Sequence, residues 1–425
     1  MSLTPEQACA VVVRGNEVIP LPPLRGGAAA LDELFRRLAA EGCPATITVD
    51  VSQVLLAELL RAAPSFPQVA AVRIVPRPAR DPILARLPVE RLERLIARRY
   101  TVAGGHDLLG NELCPLDTDG VAEICRELRG TGIRRICVVA AGSQARPQHE
   151  REVADAVQAS MPDAVISAGS DLGGQGLVAR EATVVLNCAL GALTDRLLAR
   201  CERALARSAP VAVLRVARGD GGYSTPAQVR ALPVVALGAT DALELCGAAR
   251  LAGAEDCTVV LPRAGGPLVG GVRGGLAVVR PGEFAGVGTE LLVPAAVLTP
   301  APATPSAPEP GGGGDVPVLV ADRDPVQLAC VGAAVSRPMA WLDEVVFAES
   351  TAGLERVCRD AEQRAQAIVM TSGATPGSAW LTEVSTVAIP YSHSGVVRVR
   401  VRVAGAPNVD EAAEPAGAAR ETAVP

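Results

Sequence analysis

Residues 118–168 read TDGVAEICRELRGTGIRRICVVAAGSQARPQHEREVADAVQASMPDAVISA and show most clearly the alternation of helices and strands that is predicted along the chain. Asp119 is a candidate cap for a first helix, which is predicted to end at Gly130 and Gly132. Strand RRICVVAAG follows, a second helix opens at Pro147, and DAVISAG is the next strand. The first helix has apolar residues at helical spacing: Val121, Ile124, Cys125 and Leu128. This order predicts βαβ units and largely parallel sheets.

The same alternation extends toward the N-terminus. Strand TITVDVS carries Asp50 and Ser52 at its end, between stretches of helical spacing. The helices predicted there cover residues 28–41, 53–62 and 88–99. The apolar stripe of the first is Leu31, Leu34, Phe35 and Leu38, and that of the last is Val89, Leu92, Leu95 and Ile96.

Toward the C-terminus, helices are predicted near 191–207 and from Thr240 to Gly253. The strands predicted in this half are PVAVLRVA, LPVVALG, CTVVLPR, LAVVRPG and VPVLVAD. A long helix follows, with apolar residues at Leu354, Val357, Cys358, Ala361, Ala365 and Ile368. WLTEVSTVAIPY and GVVRVRVRVAG then predict an antiparallel pair with one solvated face. Residues 299–315 predict a Pro/Ala/Gly-rich linker, and residues 406–425 a disordered tail.

Composition excludes several kinds of chemistry and partner. All 40 basic residues are Arg, and the chain contains no Lys. A Schiff-base lysine, a lysine general base and the lysine of a Walker motif are therefore excluded. The net charge is −6 and aromatic residues make up 2% of the chain, so neither a basic surface nor stacking rings favour nucleic acid as a partner.

The distribution of cysteines and apolar residues predicts a soluble, cytoplasmic protein. The 11 Cys are spread singly and form no CxxC pair, as expected of core thiols in a reducing compartment. The N-terminal residues lack the pattern of a signal peptide. No uninterrupted apolar run reaches the roughly 18 residues of a membrane span. A membrane is accordingly not expected as a partner.

Several segments between residues 98 and 405 resemble, in the same order, the A subunits of the hydantoinase/oxoprolinase family. Arg146 departs from the pattern, because Asn is usual at that position, and residues 1–97 match poorly. The matching segments are RRYTVAGGHDLLGNELCPLD (98–117), GTGIRRICVVAAGSQARPQHEREVADAV (130–157), SAGSDLGGQGLVAREATVVLN (167–187), VLRVARGDGGYSTPAQVRALPV (213–234), GAARLAG (247–253), GATPGSAWLTEV (373–384) and VRVRVRVAG (397–405).

This resemblance implies an α/β chain with the actin-like ATPase (ribonuclease H-like) fold, in which two α/β lobes surround a nucleotide cleft. Family members use ATP with Mg²⁺ or another divalent metal to hydrolyse cyclic amides such as hydantoins, lactams or 5-oxoproline, or to carboxylate ketones. A B-type subunit or a homo-oligomer is the partner that the resemblance implies. The implied divisions are an N-terminal-like lobe (1–185), a hydantoinase A-like lobe (186–298), the linker (299–315), the C-terminal part (316–405) and the tail (406–425).

The phosphate-binding elements of that family are degraded in this chain. The fold cradles phosphates with an Asp-x-Gly-Gly-Thr hairpin in each lobe, where backbone N–H groups meet the phosphates and the acidic residue helps to place the metal. The first hairpin retains only Gly15. The second retains Gly265 and Gly266, but Pro262 or Arg263 stands near the expected acid. Pro267 replaces Thr there, which removes a donor.

A third element of the nucleotide site also departs from the family pattern. Near the expected adenosine contact, Asp322, Arg323 and Asp324 replace a triple-glycine turn. The sequence therefore predicts that use of ATP and a divalent metal is lost, and that the chain is a divergent subunit or binding partner. An active ATP-dependent hydrolase or carboxylase subunit with a rebuilt phosphate site, and a small-molecule binding module, remain the alternatives.

Five residues are candidates for any surviving chemistry. His106-Asp107 and His149-Glu150 each place an imidazole beside a carboxylate, as a metal site or an acid/base pair requires. Asp220 in a Gly-Asp-Gly-Gly turn could bind a cation or a substrate amide. Structural roles are the alternative for all five: turn residues at His106 and Asp220, and a first helical turn at His149-Glu150.

Overall fold

The computed structural model describes residues 1–42, 44–61, 68–79, 86–283, 287–301, 316–390 and 392–408. It is a mixed α/β protein with several sheets. The predicted linker beyond residue 301 and the predicted tail beyond residue 408 lie outside the described residues.

The elements are numbered in chain order. The strands are β1 (Ser2–Leu3), β2 (Gln7–Cys9), β3 (Val11–Arg14), β4 (Glu17–Pro20), β5 (Leu24–Arg25), β6 (Thr46–Val49), β7 (Val69–Val75), β8 (Ile96–Ala103), β9 (Arg135–Ala140), β10 (Val165–Ala168), β11 (Val213–Ala217), β12 (Tyr223–Ser224), β13 (Cys257–Leu261), β14 (Leu268–Arg273), β15 (Leu276–Ala277), β16 (Val279–Glu283), β17 (Glu290–Ala296), β18 (Leu298–Pro300), β19 (Val318–Val320), β20 (Met339–Phe347), β21 (Trp380–Ala388) and β22 (Val396–Ala404). The helices are α1 (Leu31–Ala40), α2 (Ser52–Arg61), α3 (Glu90–Glu93), α4 (Thr118–Thr131), α5 (Gln148–Ser160), α6 (Leu177–Ser208), α7 (Pro226–Ala231), α8 (Ala239–Ala252), α9 (Pro325–Val335) and α10 (Thr351–Thr371).

A four-stranded parallel sheet in the order β10-β9-β7-β8 positions the candidate site. Alternate residues of β7 and β9 serve two cores. Val72 and Val138 pack with α4 and α5, whereas Ala71 and Cys137 belong to the core that contains α6. Burial on both faces explains why these strands are mostly apolar. The βαβ unit predicted from residues 118–168 is confirmed, and the loops after β9 and β10 open at the same edge of the sheet.

Helix α6 runs through the main core and is 32 residues long. Among the described residues it alone is long and apolar enough to cross a bilayer, with a mean hydropathy of 1.3 over its most apolar window. Of that window, 72% is buried inside the fold, as in the core helix of a soluble protein. The predicted boundary between residues 185 and 186 falls within α6, and the division into lobes stays a prediction.

Helices α8 and α9 pack against each other through glycine. A Cβ atom at Gly247 would lie 2.1 Å from the carbonyl oxygen of Leu328, and one at Gly332 would lie 2.0 Å from that of Leu243. Because neither backbone can yield, a larger residue at either position would force the helices apart. This contact fixes α8, whose first two turns carry Asp241 and Glu244.

The C-terminal sheet has the order β20-β22-β21 and is antiparallel. Helix α10 covers one face through Ala361, Ala365 and Val369, and β21 is mostly exposed. The predicted antiparallel pair and the long helix before it are therefore confirmed.

Four local predictions are wrong or incomplete. Between 88 and 99 only α3 is helical, because β8 begins at Ile96 and pairs along β7. LPVVALG forms a buried 3₁₀ turn at Pro233–Ala236, where proline fixes φ and lacks a donor. Asp117 rather than Asp119 caps α4, accepting from Gly120 N at 3.0 Å. The helix predicted near 191–207 begins earlier, at Leu177. Its first turns were missed because α6 is buried on several faces and shows no single apolar stripe.

Candidate functional site

The loop after β8 and the first turn of α5 bring His106 and His149 together. Their ring centroids are 4.3 Å apart, and each residue is 3% exposed. Gly105 N donates to His149 Nδ1 at 2.8 Å, so that nitrogen is an acceptor. The proton of a neutral His149 is therefore on Nε2, which lies 3.1 Å from Glu112 Oε1. The sequence had paired each histidine with its neighbouring carboxylate instead.

His106 differs from His149 in lacking a partner on its inner nitrogen. Its Nδ1 is buried and makes no hydrogen bond with any described residue. Burial lowers the pKa of His106, and the neighbouring His149 and Arg146 lower it further. The imidazole is accordingly neutral at pH 7.

The two carboxylates beside the histidines hold the backbone. Asp107 Oδ1 accepts from Leu109 N at 2.8 Å and from Asn111 N at 2.9 Å, which closes the loop. Glu150 is fully buried and accepts from Ala140 N and Ser170 N, both at 2.7 Å. Glu150 therefore ties the ends of β9 and β10 together. Neither carboxylate has a hydrogen bond to an imidazole among the described contacts.

Asp220 lies in the turn between β11 and β12, where it is fully buried. Arg218 donates to both of its carboxylate oxygens, and Gly222 N donates to Oδ1 at 3.1 Å. Burial alone would raise the pKa of Asp220, but the Arg218 guanidinium outweighs burial, and the pKa is lowered. Among the described contacts, none joins Asp220 to either imidazole. A catalytic role for His106, Asp107, His149, Glu150 or Asp220 stays a prediction.

No cluster in the described ranges has the donor set of a metal site. Three or more His, Cys, Asp or Glu side chains are nowhere arranged there to hold an ion. His149 Nδ1 is already occupied by a backbone N–H, and Glu150 and Asp107 by two each.

The first hairpin of the expected phosphate site is present but tight. Strands β3 and β4 pair with Arg14 opposite Glu17, so Gly15 and Asn16 form a two-residue turn. Arg250, from the last turn of α8, donates to Gly15 O at 2.8 Å and to Asn16 Oδ1 at 2.9 Å. A two-residue turn held in this way lacks the successive free N–H groups that surround a phosphate.

The second hairpin joins β13 and β14 through residues 262–267. A Cβ atom at Gly265 or Gly266 would meet nothing within 4 Å, so packing does not require either glycine. Arg263 points from this loop to the first turns of α8, where Nη2 donates to Glu244 Oε2 at 2.6 Å and to Asp241 Oδ1 at 3.2 Å. Burial raises the pKa of Glu244 to about 8 although Arg263 opposes the shift.

A cavity of about 1240 Å³ borders this loop. Its wall includes Ser52, Thr240, Asp241 and Arg263. Behind the wall, buried Asp50 accepts from Thr240 Oγ1 at 2.6 Å and from Ser52 N at 2.9 Å. The sequence marked Asp50 and Ser52 only as the end of a strand. Their partner Thr240 lies about 190 positions later in the chain, a distance that no local pattern spans.

A second cavity, of about 670 Å³, lies at the carboxyl ends of β9 and β10 and beside the end of β11. Open α/β sheets place their ligands at this edge. Ser143, Gln144 and Ser170 line it from the parallel sheet, and Arg218 from β11. Behind Ser143 lies Arg180, the largest of the fully buried side chains. The sequence reasoning missed Arg180 and Ser143, because an Arg in a mostly apolar helix and a Ser in a loop carry no distinctive spacing.

Comparison with known proteins connects this geometry to one family. Residues 74–161 match the hydantoinase/oxoprolinase N-terminal region, and this range contains β8, β9 and the two histidines. No curated protein sequence matches the chain. A solved structure of an ATP-dependent caprolactamase from Pseudomonas jessenii is similar in fold, with a TM-score of 0.68 at 11% identity over 96% of this chain and 88% of the other. A nucleotide-free acetone carboxylase is similar with a TM-score of 0.63 at 11% identity, over 95% and 87% of the two chains.

Proposed function

We propose that this chain is a divergent member of the hydantoinase/oxoprolinase family with impaired use of ATP, and that it acts as a subunit or binding partner. The solved structures to which it is similar are named as ATP-dependent enzymes, one acting on caprolactam and the other on acetone. In this proposal the chain shares their overall architecture, an actin-like ATPase fold with two α/β lobes, but does not carry out their nucleotide chemistry.

The contact of Arg263 with α8 carries this proposal. Mg²⁺ in proteins is bound by carboxylate oxygens and by the phosphates of its nucleotide. Here the guanidinium of Arg263 occupies the carboxylates of Asp241 and Glu244, which lie beside the second hairpin. A fixed cation competes with a divalent ion for the same oxygens. The residues present do not fit a metal-bound nucleotide, and no catalytic step is assigned to one.

The first hairpin supports the same conclusion independently. Its turn has two residues and is held by Arg250. Asp324, at the expected adenosine contact, caps α9 by accepting from Val326 N and Gln327 N. Three separate elements of a nucleotide site thus have structural partners of their own.

Calorimetry with Mg-ATP tests the proposal. We expect no saturable binding at micromolar nucleotide, either for the wild type or for Gly265→Val. The valine variant is informative because space is open around Gly265 and its φ is not positive, so the substitution leaves packing intact. Micromolar affinity, or ATP turnover that Gly265→Val abolishes, would contradict the proposal.

The second candidate function is an active ATP-dependent hydrolase of a cyclic amide, or a ketone carboxylase subunit. The observation that favours it is the 1240 Å³ cavity, which Arg263 lines. Arg263 is hydrogen-bonded to Glu244, whose raised pKa would suit an acid or base near neutral pH. ATP hydrolysis that depends on a lactam, a hydantoin or acetone would establish this candidate in place of the first.

A B-type subunit or a second copy of the chain is part of the proposal, as is a soluble, cytoplasmic location. Burial of α6 inside the fold supports the soluble form. Light scattering on the purified full chain distinguishes a homo-oligomer from a monomer that needs another subunit. A monomer that also fails to bind a co-expressed B-type chain would remove this part of the proposal.

A further inference from the structure

Arg180 is a buried cation with almost no partner. It lies in the first turn of α6 and is 1% exposed. Within the described residues its guanidinium donates one hydrogen bond, from Nη1 to Ser143 Oγ at 2.9 Å, and its Nε has no acceptor. Burial lowers the pKa of Arg180 to about 10, although the charge of Glu150 opposes the shift. Glu150 supplies a neighbouring charge but no hydrogen bond among the described contacts, and a buried charge without hydrogen-bonded compensation is costly, so this position suits a further anion.

Ser143 connects Arg180 to the 670 Å³ cavity, because it is hydrogen-bonded to Arg180 and lines the cavity. The serine hydroxyl accepts from Arg180, and its own proton has no acceptor among the described residues. Ser143 lines the cavity beside Gln144 and Ser170. A hydroxyl that accepts from a guanidinium is left to donate elsewhere, and the bond it then makes is strengthened by the charge behind it.

The N-terminus of α5 adds a second source of positive potential at the same wall. The helix is 13 residues long, and its N-cap residue, Pro147, provides no side-chain hydrogen bond. Pro147, Glu150 and Arg151 line the cavity. The first N–H groups of a helix have no partner within the helix and attract anions.

Of the four carboxylates that line the cavity, Glu150, Asp343 and Glu344 have donors of their own, and the fourth, Asp171, is exposed. Glu150 accepts from two backbone N–H groups, and Asp343 accepts from both Arg398 and Arg400. The opposite part of the cavity is apolar and includes Leu232, Val235, Leu292, Leu342 and Val346. The volume is within the range of small-molecule pockets.

We propose that the 670 Å³ cavity binds a small organic anion. Its oxyanion group accepts the hydrogen bond of Ser143 in front of Arg180, and its apolar part lies against Leu232 and Leu342. A carboxylate and a phosphate share this chemistry. The site is independent of the hairpins of the proposed function, so it stands whether or not the chain binds ATP.

Trp341 makes the proposal directly measurable. It lines the cavity, and the chain has one other tryptophan, Trp380. In a Trp380→Phe background, Trp341 fluorescence is followed during titration with butyrate, inorganic phosphate and neutral butyramide at constant ionic strength. We expect saturable binding of an anion and none of butyramide; the anion that binds more tightly identifies a carboxylate or a phosphate site. Equal binding of butyramide, or no saturation with either anion, would overturn the proposal.

Two variants separate binding from folding. Ser143→Ala should weaken anion binding at least tenfold; because it also removes the described acceptor of Arg180, its affinity is measured under conditions in which urea denaturation shows the variant to be folded. Arg180→Met should abolish binding, yet lower the midpoint less than Arg402→Met does. Arg402 is the matched control, since it is also buried but donates to Ala277 O at 2.8 Å and Asp220 O at 2.6 Å. If Ser143→Ala keeps wild-type affinity, or if Arg180→Met unfolds as readily as Arg402→Met, Arg180 is structural and the proposal fails.

Discussion

Arg180 and Glu181 are neighbours in α6, and both are buried, but their surroundings differ. Glu181 is bound by Arg73 from β7 and Arg99 from β8, and Arg99 also pairs with Glu93 at 2.6 Å. These two Arg and two Glu balance in charge. Among the described contacts, Arg180 donates one hydrogen bond, to the Ser143 hydroxyl at the edge of a cavity. One side of the helix thus encloses a complete ionic network, and the other presents an incomplete one.

This difference distinguishes groups that hold the fold from groups that are available to a ligand. When all members of a network have hydrogen-bonding partners within it, the network needs no ligand, and removing a member lowers the free energy of unfolding. A buried group with unused hydrogen-bonding capacity implies a further partner. His106 and Arg180 are of the second kind, whereas Glu150, Asp220 and Glu181 are of the first.

The largest effect is expected where the complete network is broken. Glu181→Gln leaves Arg73 and Arg99 buried without a full counter-charge, which should cost about 3–5 kcal/mol in the free energy of unfolding. Urea denaturation measures the loss. Glu202→Gln is the control, because Glu202 is 41% exposed, and its pair with Arg230 should contribute about 1 kcal/mol or less. Equal losses for the two variants would show that the Glu181 network is not specially important.

The sequence predicted the helices and strands better than the contacts between distant side chains. The βαβ unit, α1 and the C-terminal strand pair follow from apolar spacing alone, which local residues determine. Contacts such as Arg73–Glu181 and Thr240–Asp50 join residues more than 100 positions apart, and no spacing rule reports them.

The catalytic role of the candidate residues stays a prediction, and their geometry followed from the sequence only where two loops meet. The contact of His106 and His149 joins two loops at one sheet edge, as their positions after β8 and β9 suggest. The role of Glu150 as a tie between strand ends depends on backbone N–H directions, which a sequence does not contain. The degraded hairpins could be recognised from the family resemblance. The contacts of Arg263 with Asp241 and Glu244 could be seen only in the folded structure.

A smaller effect is expected from Glu244 on α8, which is bound by Arg263, and it depends on pH. The pKa of Glu244 is raised from 4.5 to about 8, with burial as the main cause. The folded state therefore binds this proton more tightly than the unfolded chain does. The stabilisation is fully present below about pH 4.5 and is lost as the pH rises through about 8, by at most about 1.4 kcal/mol per pH unit.

Glu244→Gln removes this dependence and keeps an acceptor for Arg263. We expect the variant to gain stability relative to the wild type as the pH rises from 5 to 8, in urea denaturation at each pH. Glu202→Gln again serves as the control, with no such trend. A wild type that gains stability relative to Glu244→Gln over this range would show that Arg263 keeps Glu244 ionised.

The smallest effect distinguishes the two histidines. His149→Phe deprives buried Gly105 N of its acceptor, which should cost about 1–3 kcal/mol. His106→Phe removes an imidazole whose Nδ1 has no described partner, and a ring of similar size can replace it at a cost of about 1.5 kcal/mol or less. Thermal and urea unfolding of both variants give the difference. A greater loss for His106→Phe than for His149→Phe would mean that His106 Nδ1 has a bonding partner in the protein in solution. Titration of the variant and the wild type with Zn²⁺ and with phosphate would then identify that partner.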